Sequence, residues 1–199
     1  MGKALLVALM FLRTASAALA AVDPGTTVEA TARHALVIQA RQGDAEAQFK
    51  LGGLFLWGER WPQDNTEAAS WYRRAAEHGH ATAQGSLALM YSYGLGVQRD
   101  VREAARWYRE AAEQGDADSQ VAMALMYYAG IGVPKSKVLA YQWAMIADAN
   151  PASMFFSRSE TQEMVAEIAA ELTASEIARA ERLVQHWEAR AGNRSQNTQ

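Results

Sequence analysis

The sequence predicts an all-α solenoid of helix-turn-helix repeats, closed by one capping helix before them and further capping helices after them. Three observations lead there. The chain is half hydrophobic and rich in alanine, with four prolines and scarce β-branched runs, a composition that favours helices packed closely through small side chains. A shift of 36 residues lays the chain on itself, aligning Trp71, Trp107 and Trp143, and also Gly58, Gly94 and Gly130. Between the aligned glycines the apolar residues recur at three- and four-residue spacing, the period of a helix with one buried face.

The elements follow in chain order. Residues 1–20 read as an export signal: Lys3 is positive, 4–12 (ALLVALMFL) are apolar, and Ala18-Leu19-Ala20 fits a small-residue cleavage site before Ala21. The apolar run is far shorter than the roughly 20 residues a membrane-spanning helix needs. A periplasmic or secreted product without stable membrane insertion is therefore expected. The absence of cysteine means that packing, not disulfides, must hold it together there.

A short linker, 21–27, precedes a helix over 28–42, which aligns with the second helix of a repeat and caps the stack. Three repeats occupy 43–78, 79–114 and 115–150. In the middle one, helix A covers 81–93 and stops at Gly94, where a left-handed residue caps it. Helix B begins at Asp100, with Glu103 placed as its capping-box partner, and Asp64 with Glu67 repeats the device. Helix B stops at Gly79, at Gly115 and before Pro151. Two amphipathic stretches, about 159–172 and 174–190, form the C-terminal caps in 151–190, and 191–199 is a polar tail expected to be disordered.

These residues resemble the Sel1-like repeat. The pattern stands here as Ala83, Leu87, Ala88, Tyr91, Gly94, Gly96 and Val97, then Asp100, Ala104, Trp107, Tyr108, Ala111, Ala112 and Gly115. The first repeat departs from it at Arg60 and Trp61. The third departs at Ala144, Asp148 and Asn150. The resemblance, which extends to tetratricopeptide repeats, implies a right-handed superhelical solenoid whose A helices line a concave face. It also implies work as an adaptor, regulator or host-interaction factor rather than as an enzyme.

No catalytic constellation stands against that. His34, His78, His80 and His186 are scattered, and His78 and His80 lack the i, i+4 spacing that puts two metal ligands on one helix face. Gly94-Leu95-Gly96 and Gly130-Ile131-Gly132 are turns between helices and lack the strand that precedes a phosphate loop. The formal charge is −3 with no Lys/Arg block, so nucleic acid is not an expected partner. No cofactor or metal is implied. The alternative is a β-lactam-binding or hydrolysing activity, credited to cysteine-rich Sel1-like proteins; it meets a chain without cysteine.

The expected function is thus an exported protein-protein interaction module, acting as a periplasmic regulator or a toxin-neutralising immunity protein. The tryptophans at period 36 lie among invariantly small neighbours and read as core. The variable A-helix columns read as the partner-binding face: Phe49, Gly85 and Val121; Gly53, Leu89 and Leu125; Leu56, Ser92 and Tyr128; Trp57, Tyr93 and Ala129. From these and the first turn, Phe49, Trp57, Arg60, Trp61, Leu89, Tyr93 and Tyr128 are the candidate contacts, aromatic anchors being typical of interfaces.

Overall fold

The computed structural model describes residues 27–58, 62–150 and 152–196. Nine helices and no strand stand among them: α1 (Thr27–Arg41), α2 (Ala45–Trp57), α3 (Asn65–Glu77), α4 (Ala81–Tyr93), α5 (Val101–Glu113), α6 (Ala117–Ala129), α7 (Lys137–Ala149), α8 (Arg158–Ala169) and α9 (Ala174–Gln196). The all-α helical-repeat class is the one expected. The export signal at 1–20 lies outside the described residues, as do Arg60, Trp61 and Pro151. The chain divides into two compact units, one ending at Asp100 and the other beginning at Val101.

In the first unit, α1 to α4 pack through Ala40, Leu51, Leu54, Trp71, Tyr72 and Leu87, all buried. Small residues set the spacing: a Cβ on Gly52 would lie 2.8 Å from the Tyr72 ring, so bulk on α3 demands its absence on α2. Gly96 explains the second glycine of the turn. Its φ is +67°, and a Cβ there would sit 2.0 Å from the Asn65 carbonyl oxygen, so the turn after α4 lies against the start of α3 only without a side chain.

In the second unit, α5 to α9 bury Trp107, Tyr108, Val121, Met123, Trp143 and Ile146. Gly132 repeats the close approach, 2.1 Å from the Val101 carbonyl oxygen. The closing helices are tied on by specific contacts. Trp187 of α9 meets Trp143 of α7 edge-on, ring centroids 6.4 Å apart. The Ser153 hydroxyl and the Met154 N–H donate to the buried Asp118 carboxylate at 2.7 and 3.2 Å. The Tyr128 hydroxyl donates to Glu171, which Lys137 approaches at 2.7 Å.

The tryptophans at period 36 are 9%, 8% and 6% exposed, which makes them core. Arginines close their outer sides: the Arg74 guanidinium lies 4.6 Å from the Trp71 ring centre, and that of Arg106 lies 4.1 Å from Trp107. The glutamines at period 36 have an equally definite task. Gln48, Gln84 and Gln120 are buried, and each donates through Nε2 to a carbonyl eight residues earlier, on Ala40, Ala76 and Ala112, at 2.9, 3.1 and 3.2 Å. Each therefore adds a second donor to a carbonyl in the last turn of the preceding helix, which the N–H of Gly43, Gly79 or Gly115 also reaches.

Two expectations are corrected. Asp64 caps α3 by accepting the N–H groups of Thr66 and Glu67, but its own N–H donates to the Phe55 carbonyl at 2.9 Å. The Asp100 and Ser136 N–H groups bond in the same way to Tyr91 and Tyr127. At Asp64 that bond closes the turn and occupies the donor a capping box with Glu67 would need; Glu103 pairs with Arg106 at 2.6 Å. A complete capping box stands at Ser157 and Glu160. The expected disordered tail at 191–199 continues as α9 through Gln196, since extending a formed helix adds one hydrogen bond per residue fixed.

Candidate functional site

The three A helices, α2, α4 and α6, begin the same way. A side chain accepts an N–H of the first turn: Asp44 from Ala47 at 2.7 Å, His80 from Ala83 at 3.2 Å, and Asp116 from Ser119 at 2.8 Å. Each ends at a left-handed glycine, Gly58, Gly94 or Gly130. Between these points the helices are largely buried. In α4, Leu87 to Met90 are buried, Tyr91 and Ser92 are half-buried, and Tyr93 is 41% exposed. Solvent reaches the last turn.

That pattern sorts the four candidate columns. Trp57, Tyr93 and Ala129 form the one that opens at every repeat, with Trp57 half-buried. Trp57 and Tyr93 occupy equivalent places, each the last residue of an A helix. The Leu89 column does not open as expected: Gly53 and Leu89 are buried, Leu89 being 5% exposed, while Leu125 is exposed. Leu89 is therefore core.

Phe49 also packs inward. Its ring stacks on His80 with centroids 4.7 Å apart and tilts toward Tyr72 at 5.7 Å. Tyr128 is engaged within its own unit, through Glu171 and through Lys135, whose ammonium lies 5.8 Å from the ring centre. Its hydroxyl is held protonated beyond its ordinary range by the adjacent Glu171, whose own carboxyl is lowered by Lys137 and Tyr128. Arg60 and Trp61 lie outside the described residues.

The histidines of the repeat junction are structural. His78 Nδ1 bonds the Gln48 Oε1 at 2.9 Å, and His80 Nε2 bonds the Glu46 carboxylate at 2.9 Å. His80, and Lys50 after it, hold Glu46 below the usual carboxylate range. Among the described residues no three His, Cys, Asp or Glu side chains gather as metal ligands would. One polar cluster, at Arg73, Tyr91 and Arg99, was not among the candidates the sequence marked. Its signal was an Arg–Tyr pair 18 residues apart, Arg73 with Tyr91, that recurs as Arg109 with Tyr127.

Comparison with known proteins adds the family. The Sel1 repeat model matches residues 45–80, 81–116 and 117–144. Its last match ends where the third repeat departs from the pattern. A solved Sel1 repeat protein from Oxalobacter formigenes is 34% identical, with a TM-score of 0.61, over 68% of this chain and 98% of that one. The structure of c5321, a protective antigen of uropathogenic Escherichia coli strains displaying an SLR fold, is 30% identical with a TM-score of 0.70. That match covers all of this chain, which spans 40% of the length of c5321. Among curated proteins none matches.

Proposed function

Given that the chain belongs to the Sel1 repeat family, we propose that it is an exported module that binds a protein or peptide partner through the exposed ends of its A helices. Sel1 repeats generally serve protein interaction, and their fold is typically a non-catalytic scaffold. The observation that carries the reading is the pair of aromatic residues, Trp57 and Tyr93, at the same place in successive A helices. Tyr93 stands 41% exposed, although a phenol ring gains most when buried. Truncating an interface anchor of this kind costs at least ~2 kcal/mol, about 30-fold in affinity.

The pattern of 1–20 supports export, and among the described residues no helix is long and apolar enough to cross a membrane. Within that setting the module acts as a regulator of a periplasmic or secreted partner, or neutralises a toxin as an immunity protein. The test is to identify the partner captured from a periplasmic extract and to titrate it, purified, against wild type and the Trp57→Ala/Tyr93→Ala double variant. The reading expects a double variant that melts like wild type and binds at least 30-fold more weakly. Equal affinity would remove these helix ends as the binding face.

A further inference from the structure

A solvent-open cleft of about 480 Å³ lies among α3, the end of α4 and the turn after it, lined by Arg73, Tyr91, Val97, Gln98, Arg99 and Asp100. Arg73 is half-buried and donates one Nη2 hydrogen bond to the Tyr91 hydroxyl at 2.7 Å, its guanidinium 5.8 Å from that ring's centre. Arg99 donates its Nε–H to the Ser92 carbonyl at 2.9 Å. A guanidinium carries five N–H donors in a rigid fork. Each of these is thus oriented by one bond and keeps most of its fork for another acceptor.

Among the described residues neither arginine has a carboxylate within ion-pair distance. Arg106 shows the other case, since Glu103 takes both its Nε–H and an Nη2–H. The Arg73–Tyr91 bond on its own is architectural, because Arg109 and Tyr127 repeat it at 3.1 Å in the second unit. The second oriented guanidinium and the open volume beside it are what the architecture does not require.

We propose that this cleft receives an acidic side chain of the partner, an aspartate or glutamate of an extended peptide segment held by the forks of Arg73 and Arg99. The proposal rests on the protein-interaction reading and gives it a recognition chemistry. The charges favour a carboxylate over a phosphate. Asp100 lines the same cleft, and a phosphate monoester, at about −1.5 to −2, would be repelled by that carboxylate more strongly than a monoanion would. A planar carboxylate also fits a guanidinium fork through two parallel bonds. Val97 and the Tyr91 ring offer apolar wall to the side-chain methylenes, and Gln98 offers an amide to the peptide backbone. Fixing the arginines before the partner arrives lowers the ordering cost of binding.

The experiment is a nuclear magnetic resonance titration of the whole chain with three probes. They are an amidated Gly-Glu-Ala-Glu-Gly peptide, its glutamine counterpart Gly-Gln-Ala-Gln-Gly, and inorganic phosphate. The glutamate peptide should move the Arg73 and Arg99 Nε–H signals and the backbone signals of 97–100, and the glutamine peptide should leave them in place. Arg73→Gln and Arg99→Gln should each weaken the glutamate peptide about tenfold. Arg99 is exposed, so its variant keeps the test open should Arg73→Gln perturb folding. Arg106→Gln should change nothing. Binding unaffected by both arginine variants would overturn the proposal, as would phosphate binding as tightly at the same signals. If no peptide binds the cleft while Trp57→Ala/Tyr93→Ala still weakens the identified partner, the cleft proposal falls and the interaction reading stands.

Discussion

Replacing Gln120 by methionine tests whether the buried glutamine column holds the repeats together. Gln120 has no exposed surface; its Nε2 donates to the Ala112 carbonyl at 3.2 Å, and its Oε1 accepts from Asn150 Nδ2 at 3.1 Å. It therefore bridges the end of α5 to the end of α7. Methionine keeps nearly the same volume and breaks both bonds without opening a cavity. Neither partner is stranded: the Ala112 carbonyl still accepts from the Gly115 N–H, and Asn150 Nδ2 still donates to the Gly115 carbonyl. The loss is then the net value of two hydrogen bonds, about 1–3 kcal/mol in all. For a chain of this size that lowers Tm by about 2–4 °C per kcal/mol.

Gln120→Glu should be worse at neutral pH. It sets a buried carboxylate against the Ala112 carbonyl, and it should recover as acid protonates it, because burial raises a carboxyl's folded pKa. Circular dichroism melts of both variants from pH 4 to pH 8 check this. A methionine variant melting at or above wild type would show that the column is packing and that its hydrogen bonds add nothing.

Three further predictions follow from the same structure. Trp107→Ala, at a ring 8% exposed under Arg106, should cost roughly 3–5 kcal/mol in urea unfolding; a loss under 1 kcal/mol would mark the ladder as dispensable. Gly132→Ala sets a Cβ 2.1 Å from a carbonyl oxygen at φ +71°, so it should destabilise by at least about 1 kcal/mol, while Ala129→Gly, at an exposed helix end, should cost less. Burial pushes the Asp118 carboxyl up to about 6, outweighing the bonds from Ser153 and Met154 that favour its charged form. The folded state therefore holds this proton more tightly than the unfolded one, and the group's contribution to stability falls as pH rises from about 4 to about 6. Asp118→Asn removes that loss, so its stability relative to wild type should rise across this window as pH increases; a difference independent of pH would refute the assignment.

Repeat architecture was plain in the sequence because its signals are periodic. The same tryptophan, alanine and glycine recur every 36 residues, and each reports a local need: a large core side chain, a small facing one, a left-handed stop. The glutamine column was visible in the same alignment, yet its task was not. A side chain's hydrogen-bond acceptor depends on how the next helix folds back, which periodicity does not encode. The capping box expected at Asp64 failed for a related reason, since the Asp64 N–H was already committed to the Phe55 carbonyl nine residues earlier. In the candidate face, variability between repeats marked Trp57 and Tyr93, which emerge at helix ends, but equally marked Leu89, which burial claims, and Phe49, which stacks on His80. Variation tells where a repeat departs from its pattern; whether the departure faces solvent or a neighbouring helix is settled by packing.

The most direct test of the account is hydrogen exchange on the complex with the purified partner. The interaction reading predicts protection on binding at the last turns of α2 and α4, around Trp57 and Tyr93, with α8 and α9 exchanging as in the free protein. Protection confined to α8 and α9, or to the B helices α3, α5 and α7, with the ends of α2 and α4 unchanged, would contradict it.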